Sequence, residues 1–166
     1  MIHIVLYRPE LAANTGNIMR TAAAIGAKLH LVGPFAFSLF DREVKRAALD
    51  YGNMLDVMTY HNFEEFLTKN RHPDIYMITR YGSRLYSDVN FVDKSVLFLM
   101  FGSESSGIPL EILKNNVDRN LRIPMQPAAR SLNLSNSVAI VAYEVLRQKK
   151  FENLALQETL KGADYL

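Results

Sequence analysis

The sequence predicts a single α/β domain in which helices cover both faces of a parallel sheet. A chain of 166 residues, 49% of them hydrophobic, is long enough for one core and too short for two. Compact apolar runs alternate with segments of helical spacing, which is the order of repeated βαβ units. The run VLFLMF is apolar on both faces, as strands in covered parallel sheets are.

The elements follow one another without a repeat or linker, so one domain is expected over 1–166. Six compact apolar runs predict strands at 2–7, 28–32, 56–60, 74–80, 96–102 and 121–125. Helical spacing predicts helices at 17–26, 43–50, 62–70, 109–116 and 134–149. Asn62 and Pro109 are residue types that start helices, and the tail from Phe151 is expected to add a short amphipathic helix.

The last predicted helix has an apolar stripe at i, i+3, i+4 and i+7, formed by Val138, Val141, Ala142 and Val145. Such a stripe fits the core of this chain as well as an interface with another chain.

Composition limits the partners. The 19 Lys and Arg against 17 Asp and Glu give a formal charge of +2, so any basic surface for nucleic acid must be local. The absence of cysteine excludes disulfides and thiolate metal sites and points to a reducing compartment. The first residues lack signal-peptide features, and no apolar run approaches a membrane span. We therefore expect a soluble, cytoplasmic protein.

Polar segments follow four of the predicted strands. Ligands of open parallel sheets bind beyond the carboxyl ends of the strands, so these loops are expected to converge on one site. They are RPELAANTGNIMR, TRYGS, GSESSGIP and the segment after Ile123.

The first of these loops contains NTGNIMR, residues 14–20. Asn14 or Thr15 could simply cap a helix, with Gly16 in a tight turn. On a helical wheel Arg20 lies opposite the apolar side, which an ordinary solvated residue would also do. A single glycine does not match the G-x-G-x-x-G fingerprint, which counts against NAD and FAD.

In GSESSGIP, Gly102 and Gly107 allow close backbone approach or positive φ, and Glu104 could be a capping acid or a functional group. The loop lacks the Lys-Ser/Thr pair of a P-loop, and the chain lacks the G-x-S-x-G elbow of a hydrolase. The four histidines are far apart in sequence and do not have metal-ligand spacing, so no metal site is expected. His3 and His30 lie in predicted strands and are expected to be core groups.

The segment RSLNLSNS precedes the last helix. Asn133 or Ser135 could cap that helix. One cap does not account for Arg130, Ser131 and Asn136 as well, and buried polar groups without partners are costly. The cluster therefore indicates a binding function.

Together, NTGNIMR, LFLMFGSESSGIP and RIPMQPAARSLNLSNSVAIVAYEVLRQ resemble the three motifs of the SPOUT superfamily of RNA 2'-O-ribose methyltransferases. IVLYRPELAANTGNI and LDYGNMLDV at 49–57 further resemble its minimal branch, the tRNA (cytidine/uridine-34-2'-O)-methyltransferases. The resemblance implies a C-terminal deep trefoil knot, at about 76–150, that binds S-adenosylmethionine. The cofactor contacts it implies are Ile78, Gly102, Ile123, Met125 and Ser131.

The resemblance further implies methylation of the ribose 2'-hydroxyl of the wobble nucleotide, position 34, in a tRNA anticodon loop. Arg20 is then closest to that hydroxyl, supported by Asn14, Glu104, Ser131 and Asn133. Because arginine has a pKa above about 12 and no acceptor, we expect an electrostatic clamp rather than a general base.

The resemblance also implies a homodimer packed through the last helix, with RNA sites lined by both chains. Arg42, Lys45 and Arg46, at i, i+3 and i+4, are candidate phosphate contacts, although a solvated face would look the same. Arg130 and Tyr143 are further candidates for RNA contact, and Tyr143 could instead meet the dimer partner.

Three other functions are compatible with the sequence: an RNA-binding module with a degenerate cofactor site, a doubly wound nucleotide-binding enzyme, and a 2'-O-methyltransferase acting elsewhere in tRNA or rRNA.

Overall fold

The computed structural model describes residues 1–49, 55–159 and 161, and these form one parallel sheet with helices on both faces. The strands are β1 (Ile2–Tyr7), β2 (Lys28–Val32), β3 (Val57–Tyr60), β4 (Ile75–Ile78), β5 (Arg84–Leu85), β6 (Leu97–Phe101) and β7 (Asn120–Arg122). The helices are α1 (Ala12–Ala24), α2 (Arg42–Ala48), α3 (Phe63–Lys69), α4 (Leu110–Lys114) and α5 (Leu134–Gln148). The six predicted strands and five predicted helices are confirmed.

The sheet order is β3-β2-β1-β6-β4-β7-β5, and every pairing in it is parallel. Alternate strand residues face opposite sides, as the two-residue period of a strand requires. In β6, Leu97, Leu99 and Phe101 pack in the core with α1, α2 and α5. Phe98 and Met100 pack in the core with α3 and α4. The prediction that helices cover both faces is confirmed.

Three details differ from the sequence prediction. Helix α1 begins at Ala12, five residues early, so Asn14, Thr15 and Gly16 are interior residues rather than a cap and turn. A Cβ on Gly16 would lie 2.6 Å from the Ala47 Cβ, so close packing of α1 on α2 explains this glycine. Strand β5 was not predicted, and the described tail at 151–159 forms turns instead of a helix.

The segment LDYGNMLDV at 49–57 lies largely outside the described residues, which omit 50–54.

Helix starts follow the sequence. The Asn62 side chain accepts a hydrogen bond from the Glu65 backbone N–H at 2.9 Å, and the Glu65 carboxylate accepts one from the His61 N–H at 2.6 Å. This reciprocal arrangement satisfies amides at the first turn of α3 that have no partner within the helix. Pro109 is the residue before the first turn of α4, as predicted.

The apolar stripe of α5 lies in the core of the single chain. Val138, Val141, Ala142 and Val145 are each 0% exposed and pack with residues of α1 and of the sheet. Of the two readings of this stripe, the structure supports the core of the single chain, so the stripe is not available to a second copy. The exposed side of α5 instead carries Ile140 and Tyr143, 37% and 48% exposed.

Strand β7 lies between two strands that precede it in the chain. Residues 79–83 carry the chain from β4, on one side of β7, to β5 on the other. The Thr79 N–H donates to the Leu121 carbonyl at 2.9 Å, and the Arg122 guanidinium donates to the Arg80 carbonyl. A Cβ on Gly82 would lie 2.5 Å from the Leu121 carbonyl carbon. The crossing connection therefore presses directly against the β7 backbone, and only glycine fits there.

A buried hydrogen-bonded chain of side chains, which we call the histidine chain, links β1, β2, β3 and the end of α3. The Asn70 amide donates to the Tyr60 hydroxyl at 3.1 Å, and that hydroxyl lies 2.9 Å from His30 Nδ1. His30 Nε2 lies 2.8 Å from His3 Nδ1. Desolvation by burial lowers the pKa of both His3 and His30 to about 4. The expectation that these histidines are core groups is confirmed for His30, which is 0% exposed, and His3 is partly buried.

Candidate active site at the carboxyl edge of the sheet

The four polar segments converge as predicted. They surround a cavity of about 610 Å³, which we call the edge cavity, at the carboxyl ends of β4, β6 and β7. Its walls are the segments 78–81, 101–108 and 130–134, with Leu11, Asn14, Ile123, Met125 and Ser137. This volume is typical of sites for small molecules and cofactors.

A hydrogen-bonded chain of side chains, which we call the edge network, joins three of the loops. The Asn14 amide donates to a Glu104 carboxylate oxygen at 2.9 Å. The Asn133 amide in turn donates to the Asn14 carbonyl oxygen at 3.0 Å. Both ends of the Asn14 amide are therefore used, and its orientation is fixed by residues about 90 and 119 positions away in sequence.

Glu104 also closes the start of α1. Its carboxylate accepts hydrogen bonds from the backbone N–H of Glu10 at 2.9 Å and of Leu11 at 3.3 Å. Leu11, the residue that begins this helix, has no capping side chain of its own. A carboxylate suits this position because the first amides of a helix have no partner within it and carry partial positive charge. Glu104 is thus a capping acid, supplied by a distant loop.

The loop after β6 folds back on its own start. Ser103 and Gly107 exchange two backbone hydrogen bonds, at 2.9 and 3.3 Å, and Gly107 has φ +71°. A Cβ on Gly102 would overlap the backbone of Gly107. The close approach that Gly102 permits here is to the chain itself, and it brings the residues of this loop to the cavity wall.

The segment before α5 has one capping residue and several exposed ones. The Asn133 side chain accepts hydrogen bonds from the N–H groups of Ser135 at 2.8 Å and Asn136 at 3.4 Å, so Asn133 is the cap. Arg130, Ser131 and Asn136 are exposed, so the argument from buried polar groups does not apply to them. Arg130 and Ser131 line the edge cavity, and neither side chain has a hydrogen bond to the described residues. They are free to bind a ligand.

All the predicted cofactor contacts lie on this cavity. Ile78, Gly102, Ile123, Met125 and Ser131 line it, as do Asn14, Glu104, Asn133 and Arg130. The sequence did not single out Leu11 or Tyr81 among its walls. Tyr81 is 62% exposed, and the Arg80 guanidinium lies 5.3 Å from its ring centroid. Tyr81 lies within TRYGS, so its position after a strand was the only available signal.

The remaining predicted residues lie elsewhere. Arg20 is exposed on α1 and does not line the cavity, and it makes no hydrogen bond or ion pair with the residues the structure describes. Six residues separate it from Asn14, which is about 9 Å along the helix axis. Arg42, Lys45 and Arg46 are exposed on α2, and Tyr143 is exposed on α5.

Among residues 1–49, 55–159 and 161, no helix is both long and apolar enough to cross a membrane. In the same part of the chain, no group of three or more His, Cys, Asp or Glu side chains is placed to hold a metal ion.

The fold and the edge cavity place the chain in a structural class, that of parallel α/β proteins whose ligand site lies in loops at the carboxyl edge of the sheet. The chain belongs to the SpoU rRNA methylase family, whose model matches residues 1–143. The resemblance drawn from the three sequence motifs is confirmed.

Individual relatives are similar over nearly their whole length. The chain is 46% identical over 155 residues to the putative tRNA (cytidine(34)-2'-O)-methyltransferase of Geobacillus stearothermophilus, covering 93% of this chain and 99% of that protein. It is 40% identical over 152 residues to the tRNA (cytidine(34)-2'-O)-methyltransferase of Saccharophagus degradans, covering 91% and 97%.

Solved structures of RNA methyltransferases are also similar to this chain. A protein whose structure addresses the 2-OH methylation of C/U34 on tRNA matches with a TM-score of 0.85 and 39% identity, over 91% of this chain and 97% of that one. An AdoMet-bound rRNA methyltransferase from Sinorhizobium meliloti matches with a TM-score of 0.78 and 30% identity, over 88% of this chain and 56% of that one.

Proposed function

We propose that this chain, an enzyme of the SpoU rRNA methylase family, methylates the ribose 2'-oxygen of nucleotide 34 in tRNA, with S-adenosylmethionine as methyl donor. The observation that carries the proposal is that all three sequence motifs contribute to the wall of the edge cavity. The relatives named for this reaction align over more than nine-tenths of the chain.

The cavity suits S-adenosylmethionine in size and in lining. Ile108, Ile123 and Met125 provide apolar surface for an adenine ring. Exposed backbone near Ile78 and Gly102, with the Ser131 hydroxyl, provides hydrogen-bonding groups for the ribose and methionine parts. When bound, this cofactor supplies a methyl group that its positively charged sulfur has already activated.

The edge network acts by positioning. Asn14 and Asn133 have their side chains engaged with each other and with neighbouring groups, and Glu104 caps α1. These residues hold the three loops in register, which keeps the reacting groups aligned. The free side chains of Arg130 and Ser131 are the cavity groups that meet RNA and cofactor.

Arg20 is the proposed electrostatic clamp on the 2'-oxygen. Its guanidinium is exposed and outside the cavity of its own chain, so it serves a site completed by a second copy. A fixed positive charge beside the oxygen lowers the cost of its developing negative charge.

The proposed enzyme is a homodimer that uses the exposed side of α5, where Ile140 and Tyr143 stand three residues apart. Ile140→Asp would put a charge on that side without touching the core stripe. Light scattering should then report a monomer, whereas Leu110→Asp, an exposed position on α4, should leave the dimer intact.

The proposed knot is supported by the position of β7 between β4 and β5, whose connection crosses it. Pulling the two ends of the chain apart in a single-molecule experiment tests it. A trapped knot should leave the extended chain shorter than the roughly 3.3–3.6 Å per residue of a free polypeptide. Full extension would contradict the knot.

Two measurements test the reaction. Calorimetry should detect binding of S-adenosylmethionine and of its demethylated product, which a degenerate site would not bind. Ribose-methylation mapping of RNA from cells lacking the gene should show loss of the methyl group at nucleotide 34. An intact position 34 with a methyl group lost elsewhere would assign a different RNA target.

A further inference from the structure

The segment after β2 leaves one large aromatic residue in solvent. Along 34–40, exposed and half-buried residues alternate, and Phe35, Phe37 and Leu39 pack against the core. Phe40 takes an exposed position of this alternation and is 80% exposed, whereas the exposed positions before it, 34, 36 and 38, carry the smaller residues proline, alanine and serine. The fold therefore buries little of the Phe40 ring, and most of the ring is open to a partner.

Phe40 is held in a defined turn. The Ser38 N–H donates to the Asp41 carboxylate at 2.8 Å, and the Asp41 N–H donates to the Ser38 carbonyl at 3.0 Å. The Phe40 N–H donates to the Ser38 hydroxyl at 3.1 Å. These three bonds fix the backbone around Phe40, so the ring projects outward from a defined turn.

Positive charge surrounds the ring. The Lys45 ammonium lies 5.6 Å from the Phe40 ring centroid, within cation–π range. Arg42 and Arg46, on the same short helix, are exposed. Three carboxylates lie nearby: Asp41, which is engaged with Ser38, Glu10, which accepts from the Ser105 hydroxyl, and Glu43. An exposed aromatic among lysine and arginine side chains is the combination that binds single-stranded nucleic acid, by base stacking and phosphate contact together.

This surface is continuous with the edge cavity. A shallow depression beside it has one wall formed by Glu10, Leu11 and Ala12, and the other by residues 36–37 and 41–43. Leu11 also lines the edge cavity. The shared residue Leu11 gives a strand of RNA in the cavity a short route to the turn that carries Phe40.

We propose that Phe40 is a stacking platform for an unpaired RNA base that neighbours the nucleotide being methylated, with Arg42, Lys45 and Arg46 contacting the adjoining phosphates. The inference rests on the proposed function and adds a base-binding residue to it. The base stacks on the ring face opposite Lys45. Because every base has a π-face, this contact supports affinity and orientation without selecting sequence. The cations around the ring favour RNA over a second copy of this chain, which carries a net charge of +2 itself.

The chain contains no tryptophan, so Phe40→Trp creates a single fluorescent reporter at the proposed platform. Its emission should be quenched when an anticodon stem–loop RNA binds, because the base stacks on the indole. A fully paired RNA duplex of the same length, which offers no unstacked base, should quench it much less. Unchanged emission with bound stem–loop would overturn the proposal.

Three further variants separate stacking from apolar contact. Phe40→Ala should weaken stem–loop binding roughly 10- to 100-fold, and Phe40→Leu should weaken it nearly as much, whereas Phe40→Tyr should bind like wild type. Leu110→Ala removes an exposed apolar side chain from the other face of the sheet and should have no effect. S-adenosylmethionine affinity should be the same in all of them.

Each failure has its own signature. If the wild-type protein methylates nucleotide 34 and Phe40→Ala binds RNA with normal affinity, the stacking role would be overturned and the proposed function retained. If the wild-type protein does not methylate nucleotide 34 but Phe40→Ala still binds RNA more weakly than the wild type, the proposed function would be overturned and the stacking platform retained. A change of oligomeric state in Phe40→Ala, measured by light scattering, would assign the surface to a second copy and overturn the proposal.

Discussion

The edge network and the histidine chain are both built of hydrogen-bonded side chains, yet they lie in different surroundings. The edge network joins three loops beside an open cavity, and its members belong to the walls of that cavity. The histidine chain runs among Phe66 and Phe98, in the layer between the sheet and α3, and none of its members lines the cavity. Residue type alone would mark the histidine chain as the catalytic centre, because His and Tyr are common catalytic residues.

Access to solvent decides which of the two polar clusters can act on a ligand. Burial favours the neutral form of His3 and His30 and removes His30 from solvent, so their hydrogen bonds serve the packing of β1, β2 and β3. The edge network contains no histidine and positions loops around space that a ligand can enter. The charge that acts on the RNA must then come from groups outside this network.

The largest expected effect is that of a variant at Arg20, which tests whether the charge that acts on the RNA lies outside the edge network. Arg20→Ala should reduce methyl transfer roughly 100-fold or more, as removal of one oxyanion donor does in other enzymes. Because Arg20 is exposed, the free energy of unfolding should change by no more than about 0.5 kcal/mol. Single-turnover methylation with saturating tRNA and cofactor is the measurement.

Two variants sharpen the Arg20 result. Arg20→Lys keeps the charge but loses the planar fork, so a bidentate clamp should be damaged almost as badly. Arg46→Ala removes another exposed arginine and should weaken tRNA binding while leaving the saturated rate unchanged. A near-normal rate for Arg20→Ala would remove this residue from the mechanism. It would also contradict the assignment of positioning to the edge network and of the acting charge to Arg20.

The next effect tests whether the edge network is a positioning device. Glu104→Gln leaves at least one of three donors without an acceptor, since the amide nitrogen cannot accept. The free energy of unfolding should fall by about 1–3 kcal/mol, measured by urea denaturation. Glu152→Gln, at an exposed position after α5, is the matched control and should be neutral. Equal stability of the two variants would contradict the network.

The histidine chain predicts a pH dependence of stability. The folded-state pKa of His3 and of His30 is about 4, below the ordinary value of 6.5, because burial disfavours the charged form. Between pH 6.5 and 4 the unfolded chain binds protons that the folded chain does not, so the free energy of unfolding falls as pH is lowered through this window. The slope from these two groups should fade as the pH rises through 6.5 and be nearly absent by about pH 7.5.

Urea denaturation at several pH values measures this slope. His30→Phe removes one of the two groups and should flatten the dependence, at some cost in stability because the Tyr60 hydroxyl loses one of its two partners. His72→Gln changes an exposed histidine and should leave the slope as in wild type. A wild-type protein equally stable at pH 7 and pH 4.5 would show that the histidine chain is not protected from protonation.

The smallest expected effect marks the boundary of the edge network. The Ser105 hydroxyl donates to the Glu10 carboxylate at 2.5 Å, but this pair is exposed. Ser105→Ala should therefore change the free energy of unfolding by no more than about 0.5 kcal/mol in the same urea experiment. A loss above about 1 kcal/mol would mean that the network extends to this pair.

The sequence was sufficient to predict the strands and most helices, because runs such as 97–101 are apolar on both faces and have no other plausible location. It was not sufficient for β5, whose two residues show no period. The start of α1 was misplaced because Asn14 and Thr15 look like capping residues, whereas contact with α2 at Gly16 and the distant Glu104 carboxylate stabilise the helix there. Only tertiary contacts contain that information.

Site residues were predictable from the sequence where a polar residue lies in the segment after a predicted strand. Glu104 and Asn133 are polar residues after strands, and both lie at the cavity. Leu11, Tyr81 and Phe40 were missed because an apolar or aromatic residue in a loop carries no distinctive signal until its exposure is known. The α5 stripe carried a clear signal that was ambiguous, since an apolar period is the same whether the helix packs on its own chain or on another.

The position of β7 between β4 and β5 sets the order of assembly. Strands β1, β2 and β3 are neighbours in both sequence and sheet, so they can pair as soon as they are made. Among the strands that the structure describes, β5 pairs only with β7, which begins at Asn120, long after β5 ends at Leu85. At about 5–20 residues per second, a ribosome needs several seconds to make the intervening chain. During that interval the edge of β4 is unpaired, and because its pairing depends on distant residues, the C-terminal half of the sheet should form slowly and last.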